Sequence, residues 1–151
     1  NLISTYACVT KPLPAGSFWP ERCLLWNTDD PYFYARTTAD NRILIGGEDI
    51  PYEDDDIRDA LIPAKQETLY KTFHKLFPHI PIEIERTWAG TFGETKDSLP
   101  YIGASPEWEN AWFALGYGGN GITFSAIAAQ ALTDLYFGRE HAYLELFKFG
   151  R

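Results

Sequence analysis

Methionine is absent from this sequence of 151 residues, which begins with asparagine. Newly translated chains start with Met, so we expect either a processed protein or a piece of a longer one, and the absence alone favours neither. Histidine and cysteine are scarce, with three and two copies. The scattered histidines argue against a metal site and against a Ser-His-Asp or Cys-His catalytic arrangement. Two cysteines are too few for a disulfide framework, and we predict buried thiols in a reducing compartment.

Long apolar runs and clusters of basic residues are missing as well. No run approaches the ~18 residues that a membrane span needs, and no signal-like segment opens the chain, so we expect a cytoplasmic protein without a membrane span. The formal net charge is −8, and the absence of a Lys/Arg cluster argues against a nucleic-acid partner. Six acidic residues fall between positions 48 and 56. Their spacing is typical of a solvated loop before a helix rather than of calcium ligands.

The residues that are present describe a globular domain, with 45% hydrophobic and 23% charged side chains. That content is enough for one core of ordinary size. Short apolar stretches are separated by Pro, Gly and Asn-Asp turns, which predicts antiparallel strands. The predicted strands are residues 3–10, 23–26, 32–36, 42–46, 82–88, 101–103 and 111–115, with one more possible at 141–149 and a hairpin turn at 38–41.

Two helices complete the predicted fold. The first starts at Pro63, after a short helical stretch at residues 54–61, and presents one apolar face. The second, residues 122–137, is strongly apolar and is closed by Gly138, so it needs cover on most sides. We therefore predict an α+β fold with a mostly antiparallel sheet, one amphipathic helix and a buried C-terminal helix. The apolar face of the first helix consists of Leu69, Phe73, Leu76 and Phe77.

A glycine motif joins the last predicted strand to the last helix. Gly116, Gly118 and Gly121 match the G-x-G-x-x-G pattern of dinucleotide-binding turns. Only thirteen residues follow Gly138, which is too few for the second half of a Rossmann unit. Two readings remain open: a loop whose free N–H groups and helix dipole let a planar or anionic group approach, and a tight turn without a ligand.

Two stretches of sequence carry a family resemblance. Residues 88–103 read WAGTFGETKDSLPYIG, and residues 113–123 read FALGYGGNGIT. Together they resemble the C-terminal half of FAD-dependent amine and amino-acid oxidoreductases, the superfamily of D-amino-acid oxidase, glycine oxidase and sarcosine oxidase, with the γ-glutamylputrescine oxidase branch as one option. Residues 32–47 resemble the substrate-domain strand pair of that superfamily.

The resemblance implies a two-domain flavoenzyme, of which residues 1–100 are a portion of the substrate-binding domain and residues 101–151 the segment that returns to the FAD-binding domain. The βαβ unit that holds FAD in the family is not in this sequence, so the missing half is an expected partner and the chain alone is expected to be inactive and without flavin. No cysteine lies in residues 90–95, so we expect non-covalent FAD. The positions that match the flavin-facing helix start of the family are Gly118, Gly119, Asn120, Gly121, Ile122 and Thr123.

The implied reaction is oxidation of an amine or amino acid to an imine, with hydride transfer to flavin. The implied substrate-binding residues are Tyr34, Arg36, Phe92 and Glu94, and no catalytic residue or metal ligand is predicted. Amino-acid-oxidising relatives carry a basic residue at positions that correspond to Phe92, Gly119 or Thr123, and none is basic here. Two readings stay open: an amine substrate, and a substrate carboxylate bound by Arg36 or by an arginine in the missing half.

A second function class stays open beside the enzyme. The same fold could serve as a flavin-free binding or interaction domain. For a piece that lacks its flavin domain, we expect the apolar last helix to be left partly uncovered and the chain to self-associate.

Overall fold

The computed structural model describes all of residues 1–151. The chain divides into two compact units. The sheet unit is Ile3–Thr91, and the helix unit is Asn1–Leu2 together with Phe92–Arg151. The functional division expected between residues 100 and 101 concerns the roles of the two parts and stays a prediction.

The sheet unit is built on five strands. In chain order they are β1 (Leu2–Thr10), β2 (Leu25–Trp26), β3 (Phe33–Thr37), β4 (Ile43–Pro51) and β5 (Ile84–Gly93). They lie in the order β2-β3-β4-β1-β5. The β2–β3, β3–β4 and β4–β1 pairs are antiparallel, which confirms the predicted sheet type.

A tight turn joins β3 to β4 at the predicted place. The backbone N–H of Thr38 donates to the carbonyl of Arg42 at 2.9 Å, and the Thr38 hydroxyl donates to Asp40 at 2.6 Å. Asn41 has φ 62°, a left-handed conformation that asparagine tolerates better than most residues. The local sequence of this turn therefore fixes the hairpin.

Alternation along the hairpin strands separates two faces of the sheet. Phe33 and Ala35 of β3 are buried, as are Ile43 and Ile45 of β4, and all four belong to one apolar cluster. Successive side chains of a strand point to opposite faces, so Tyr34 lies on the face opposite to this core.

Helices α1 (Asp55–Ala60) and α2 (Ile62–Leu76) follow β4. The Asp54 side chain caps α1 by accepting a hydrogen bond from the N–H of Ile57 at 2.8 Å. Pro63 lies in the first turn of α2, where its missing N–H costs nothing. The α2 residues Leu69 and Phe73 are buried in the same cluster as the sheet residues, and Phe77 packs against it, which confirms these three residues of the predicted apolar face. The prediction is wrong for Leu76, which is 55% exposed.

The fifth strand is longer than its sequence pattern predicts. The apolar–polar alternation covers residues 82–88, and the Gly-rich stretch after it reads as irregular. In the structure β5 runs through Gly93, because backbone pairing needs no side-chain pattern once a neighbouring strand is in place. This extension brings the strand into the helix unit.

The helix unit contains a two-stranded antiparallel sheet and two helices. They are β6 (Tyr101–Ala104), β7 (Trp112–Leu115), α3 (Gly121–Tyr136) and α4 (Leu144–Phe147), with a short 3₁₀ turn at Gly118–Asn120 before α3. Ile102, Ala128, Ala131 and Phe147 form its buried core.

Helix α3 is apolar around its circumference but is buried on one side. Ala128 and Ala131 are its buried residues, whereas Ile122 is 92% exposed and Tyr136 is 66% exposed. Gly138 has φ +66° and follows the helix end as predicted. Within this chain the helix therefore lacks part of the cover that its composition needs.

Residues 141–149 do not form the additional strand that the sequence allowed. The segment forms the short helix α4, whose Leu144 and Phe147 both pack into the core of the helix unit. Residues three apart share a face of a helix but not of a strand, so the helical form puts both side chains into that core.

The cysteines differ in exposure. Cys8 is buried, and its burial raises the pKa of the thiol to about 12. Cys23 is exposed, so the expectation of two buried thiols is wrong for this residue. None of the helices combines the length and the apolarity that crossing a bilayer would take.

Candidate functional site

The glycine segment (residues 116–123) links β7 to α3 through backbone conformations that side chains disfavour. Gly116 has φ +74° and Gly118 has φ +55°. A Cβ added to Gly116 would lie 2.6 Å from Cγ2 of Thr95, whereas one added to Gly118 would meet no atom within 4 Å. Because Gly116 has no side chain, Thr95 can pack against its backbone. The backbone of Gly118 is instead open to an incoming group.

The start of α3 presents N–H groups that no side chain caps, although the N–H of Asn120 already donates to the carbonyl of Tyr117 at 3.2 Å. The first turn of the helix contains no acidic residue. Asn120 and Thr123 are exposed, as is Gly119. The N–H groups and the positive end of the helix dipole suit a group that carries or gains negative charge.

The end of β5 lies against this segment. Glu94 forms an isolated antiparallel bridge with Tyr117. Its backbone also exchanges two hydrogen bonds of 2.8 Å with Asn1. The side chains of Phe92 and Glu94 are half-buried, and Glu94 makes no salt bridge. The structure thus brings Phe92, at the end of β5, and Glu94, just after it, close to the glycine segment.

The other two predicted substrate residues lie in the sheet unit. Tyr34 and Arg36 are two residues apart on β3 and therefore share the face opposite to the core. Burial raises the pKa of Tyr34, and the nearby Arg36 charge opposes this shift. Arg36 is exposed and makes no salt bridge, so its guanidinium is accessible to an anion.

Sequence reasoning missed the residues that hold Tyr34 in place. Its ring lies over Gly46, its partner in register on β4, and it stacks on Tyr32 with ring centroids 6.2 Å apart. Burial and a hydrogen bond to Asp49 raise the pKa of Tyr32 to about 12. Trp26, the partner of Tyr34 on β2, is 65% exposed. The Tyr34–Gly46 pair follows from the register that the 38–41 turn sets, and this register was the available signal that sequence reasoning did not use.

An open groove lies elsewhere on α3. It is lined by Trp112, Leu132, Thr133, Tyr136 and Phe137. None of the predicted site residues lines the groove. One lining residue lies in β7, three lie in the last turns of α3, and Phe137 follows that helix. The groove therefore stands apart from the glycine segment.

Comparison with known proteins decides the family. The model of a family described as DAO, FAD-dependent oxidoreductase, matches residues 2–135. The chain belongs to this family. Gamma-glutamylputrescine oxidoreductase of Escherichia coli (strain K12) is 32% identical over 107 residues, which cover 70% of this chain and 23% of that protein.

Solved structures of flavoenzymes share the fold. Glycine oxidase from Geobacillus kaustophilus matches with a TM-score of 0.79 and 25% identity over 99% of this chain and 39% of its own. Iminodiacetate oxidase from Chelativorans sp. BNC1 matches with a TM-score of 0.80 and 18% identity over 97% of this chain and 39% of its own. The chain thus spans about a quarter of the curated relative and two fifths of these structures, and it has the mixed α and β fold expected.

The glycine segment fits the cofactor that the family uses. A flavin needs backbone that can approach its ring closely and donors for the charge it gains on reduction. Gly118 leaves such an approach open, and the uncapped start of α3 without an acidic residue supplies the donors. We expect residues 118–123 to hold this edge of the flavin.

Proposed function

We propose that the protein containing this chain oxidises a C–N bond of an amine or amino acid to an imine. When bound, FAD supplies the acceptor for the hydride that leaves carbon, while a proton leaves nitrogen. Water then hydrolyses the imine to a carbonyl compound and ammonia, or to a carbonyl compound and an amine where the substrate nitrogen carries a second carbon. The observation that carries the proposal is the open, uncapped glycine segment of a DAO-family chain.

The chain's own contribution is electrostatic and steric. The first N–H groups of α3 and its dipole would stabilise negative charge at the flavin edge. The side chain of Ile122 is apolar and 92% exposed, so it suits contact with an apolar ring and exclusion of water from it. We assign no proton transfer to a side chain.

The charges near the segment favour an amine over a simple α-amino acid. Phe92, Gly119 and Thr123 occupy the positions where a basic residue would pair with an α-carboxylate. The half-buried carboxylate of Glu94 would instead attract a cationic amine. We therefore propose an amine substrate whose carboxylate, where it has one, lies remote from the oxidised carbon.

Arg36 is the proposed contact for such a remote carboxylate. It is exposed, makes no salt bridge and lies beside Tyr34 on β3. The relative from Escherichia coli is named for γ-glutamylputrescine, a compound with an amine at one end and an amino acid at the other. Such a compound carries a carboxylate that an arginine without a salt bridge would bind.

The test uses the natural gene product, with whatever sequence flanks residues 1–151. Purified protein should carry flavin absorption, and anaerobic addition of substrate should bleach it. The panel is γ-glutamylputrescine, putrescine, glycine, sarcosine and a D-amino acid. Bleaching by the amines supports the proposal, preference for the α-amino acids overturns the substrate class, and absence of flavin supports the alternative of a flavin-free binding domain.

Arg36→Gln tests the remote contact. We expect KM for γ-glutamylputrescine to rise about tenfold to a hundredfold, the range for a lost charged hydrogen bond, with little change for putrescine. Arg86→Gln is the matched control, because Arg86 is also an exposed strand arginine without a salt bridge. Equal effects of the two substitutions would argue against a specific contact.

A further inference from the structure

The side chain of Arg151 is held by an unusually complete set of acceptors. Its Nε and Nη2 donate to the two carboxylate oxygens of Asp97 at 2.8 and 3.0 Å. Nη2 also donates to the carbonyl of Leu99 at 2.5 Å, and Nη1 donates to the carbonyls of Pro100 at 3.0 Å and Lys148 at 3.4 Å. These five hydrogen bonds match the five N–H donors of a guanidinium.

The environment of this ion pair makes it a fixed contact. The Arg151 side chain is 13% exposed, and its guanidinium lies 4.2 Å from the ring centroid of Tyr101. The bidentate Arg151 contact holds the pKa of the Asp97 carboxyl well below its usual range. The Asp97 side chain is 47% exposed, so it is the bidentate geometry that makes this pair more rigid than a single surface ion pair.

Asp97 belongs to a loop (residues 94–100) with little backbone support of its own. The turn within it is closed by one hydrogen bond of 3.4 Å, from Ser98 N–H to the carbonyl of Thr95. Ser98 has φ 59°, a conformation that a non-glycine residue adopts at a cost. Thr95 contributes a side-chain hydrogen bond of 2.8 Å to the carbonyl of Leu99. Arg151 is the contact that attaches this loop to a residue 54 positions away.

The other end of the same loop lies against the glycine segment. Glu94 pairs with Tyr117. A Cβ on Gly116 would lie 2.6 Å from Cγ2 of Thr95, so backbone and side chain are packed closely there. A displacement of the loop at Thr95 would therefore also displace Gly116, the residue that precedes Tyr117 and the 3₁₀ turn.

We propose that Arg151 is a positioning residue for the glycine segment, acting through Asp97 and the 94–100 loop. The inference rests on the proposed function in one respect, the assignment of residues 118–123 to the flavin. The mechanical part, which is the coupling of Arg151 to the glycine segment, stands on contacts within the helix unit alone.

The test compares Arg151→Met and Arg151→Lys in the natural gene product. Amide hydrogen exchange is measured for residues 94–100 and 116–123 without flavin, and the midpoint potential of bound flavin is measured separately. We expect exchange in both segments to rise tenfold or more in R151M and by less in R151K, because one ammonium cannot reach all of the acceptors. The flavin potential should become more negative as the donors lose order.

Arg139→Met is the matched control. Arg139 also pairs with an aspartate, Asp134, at 3.7 Å and lies over an aromatic ring, that of Phe137, but it is 64% exposed and does not contact the loop. Exchange in residues 94–100 and 116–123 should be unchanged in R139M. Exchange in β3 and β4 of the sheet unit serves as the check that each variant is folded.

The outcomes separate the inference from the proposed function. Faster exchange in both segments supports the inference, and faster exchange confined to residues 94–100 overturns it. If wild-type protein binds no flavin, the proposed function fails while the exchange data still decide the coupling. If R151M does not fold, R151K and Asp97→Asn provide the same comparison.

Discussion

Gly46→Ala should expose how tightly Tyr34 is fixed on the sheet. Gly46 is the register partner of both Tyr34 and Ala7. A Cβ built on it would overlap the tip of the Tyr34 side chain, with Cε1 at 2.6 Å and both Cζ and the hydroxyl oxygen closer. Ordinary contacts begin near 3.5 Å, so the ring would have to move by about 1 Å.

The magnitude follows from two opposing terms. Overpacking of this kind costs about 1–3 kcal/mol. Replacing a strand glycine by alanine returns about 0.5–1 kcal/mol, because the unfolded chain loses less entropy on folding. We expect G46A to reduce the unfolding free energy by about 1–2 kcal/mol.

Gly90→Ala is the matched control, because an added Cβ at Gly90 would meet nothing within 4 Å and this residue also lies in a strand. It should be neutral or stabilise by about 0.5–1 kcal/mol. Urea unfolding of both variants measures the difference. In a Tyr34→Ala background the ring is gone, so G46A should then behave like G90A.

Two results would refute this reasoning. One is an equal stability of G46A and G90A in the wild-type background. The other is a full G46A penalty that persists after Tyr34→Ala, because the obstacle would then not be the ring. The coupling between the two sites in the double-mutant cycle should be about 1–3 kcal/mol, the overpacking term itself.

Three further predictions concern the core, the thiols and acid. Phe73→Ala should cost about 3–5 kcal/mol in urea unfolding because Phe73 is fully buried, whereas Leu76→Ala, at a position 55% exposed on the same helix, should cost less than about 1 kcal/mol. A thiol reagent should modify Cys23 in the native protein and reach Cys8 only after unfolding, since burial raises the pKa of Cys8 to about 12; rapid native labelling of both would contradict the buried position. The pKa of Asp97 is lowered in the native state, so its carboxylate stabilises the fold above the ordinary carboxyl pKa of about 4, and this stability is lost as the pH falls below that value. On acidification the unfolding free energy should therefore decline more steeply in wild type than in Asp97→Asn. Parallel pH profiles would argue against the ion pair.

Local sequence predicted those parts of the fold that depend on neighbouring residues. The turn at residues 38–41 is set by Asn41 and the side chains around it. The apolar face of α2 is visible because a helical period repeats within one segment. The family is readable for a similar reason, since its motifs are short stretches whose residues are contiguous.

The errors occurred where long-range contacts decide the conformation. Residues 89–93 carry no strand pattern, yet they continue β5 because a neighbouring strand is present. Residues 144–147 are helical because that form buries Leu144 and Phe147 together. A segment this short contains too little pattern to distinguish strand from helix.

The candidate site divides in the same way. The sequence by itself determined the residue types of the glycine segment, the absence of a basic residue near it and the membership in a flavoenzyme family. Tertiary structure alone decided that Arg151 closes on Asp97, 54 residues away. The residues near Asp97 and near Arg151 do not specify this contact, because it forms only when packing of the whole helix unit offsets the entropy of closing the long loop between them.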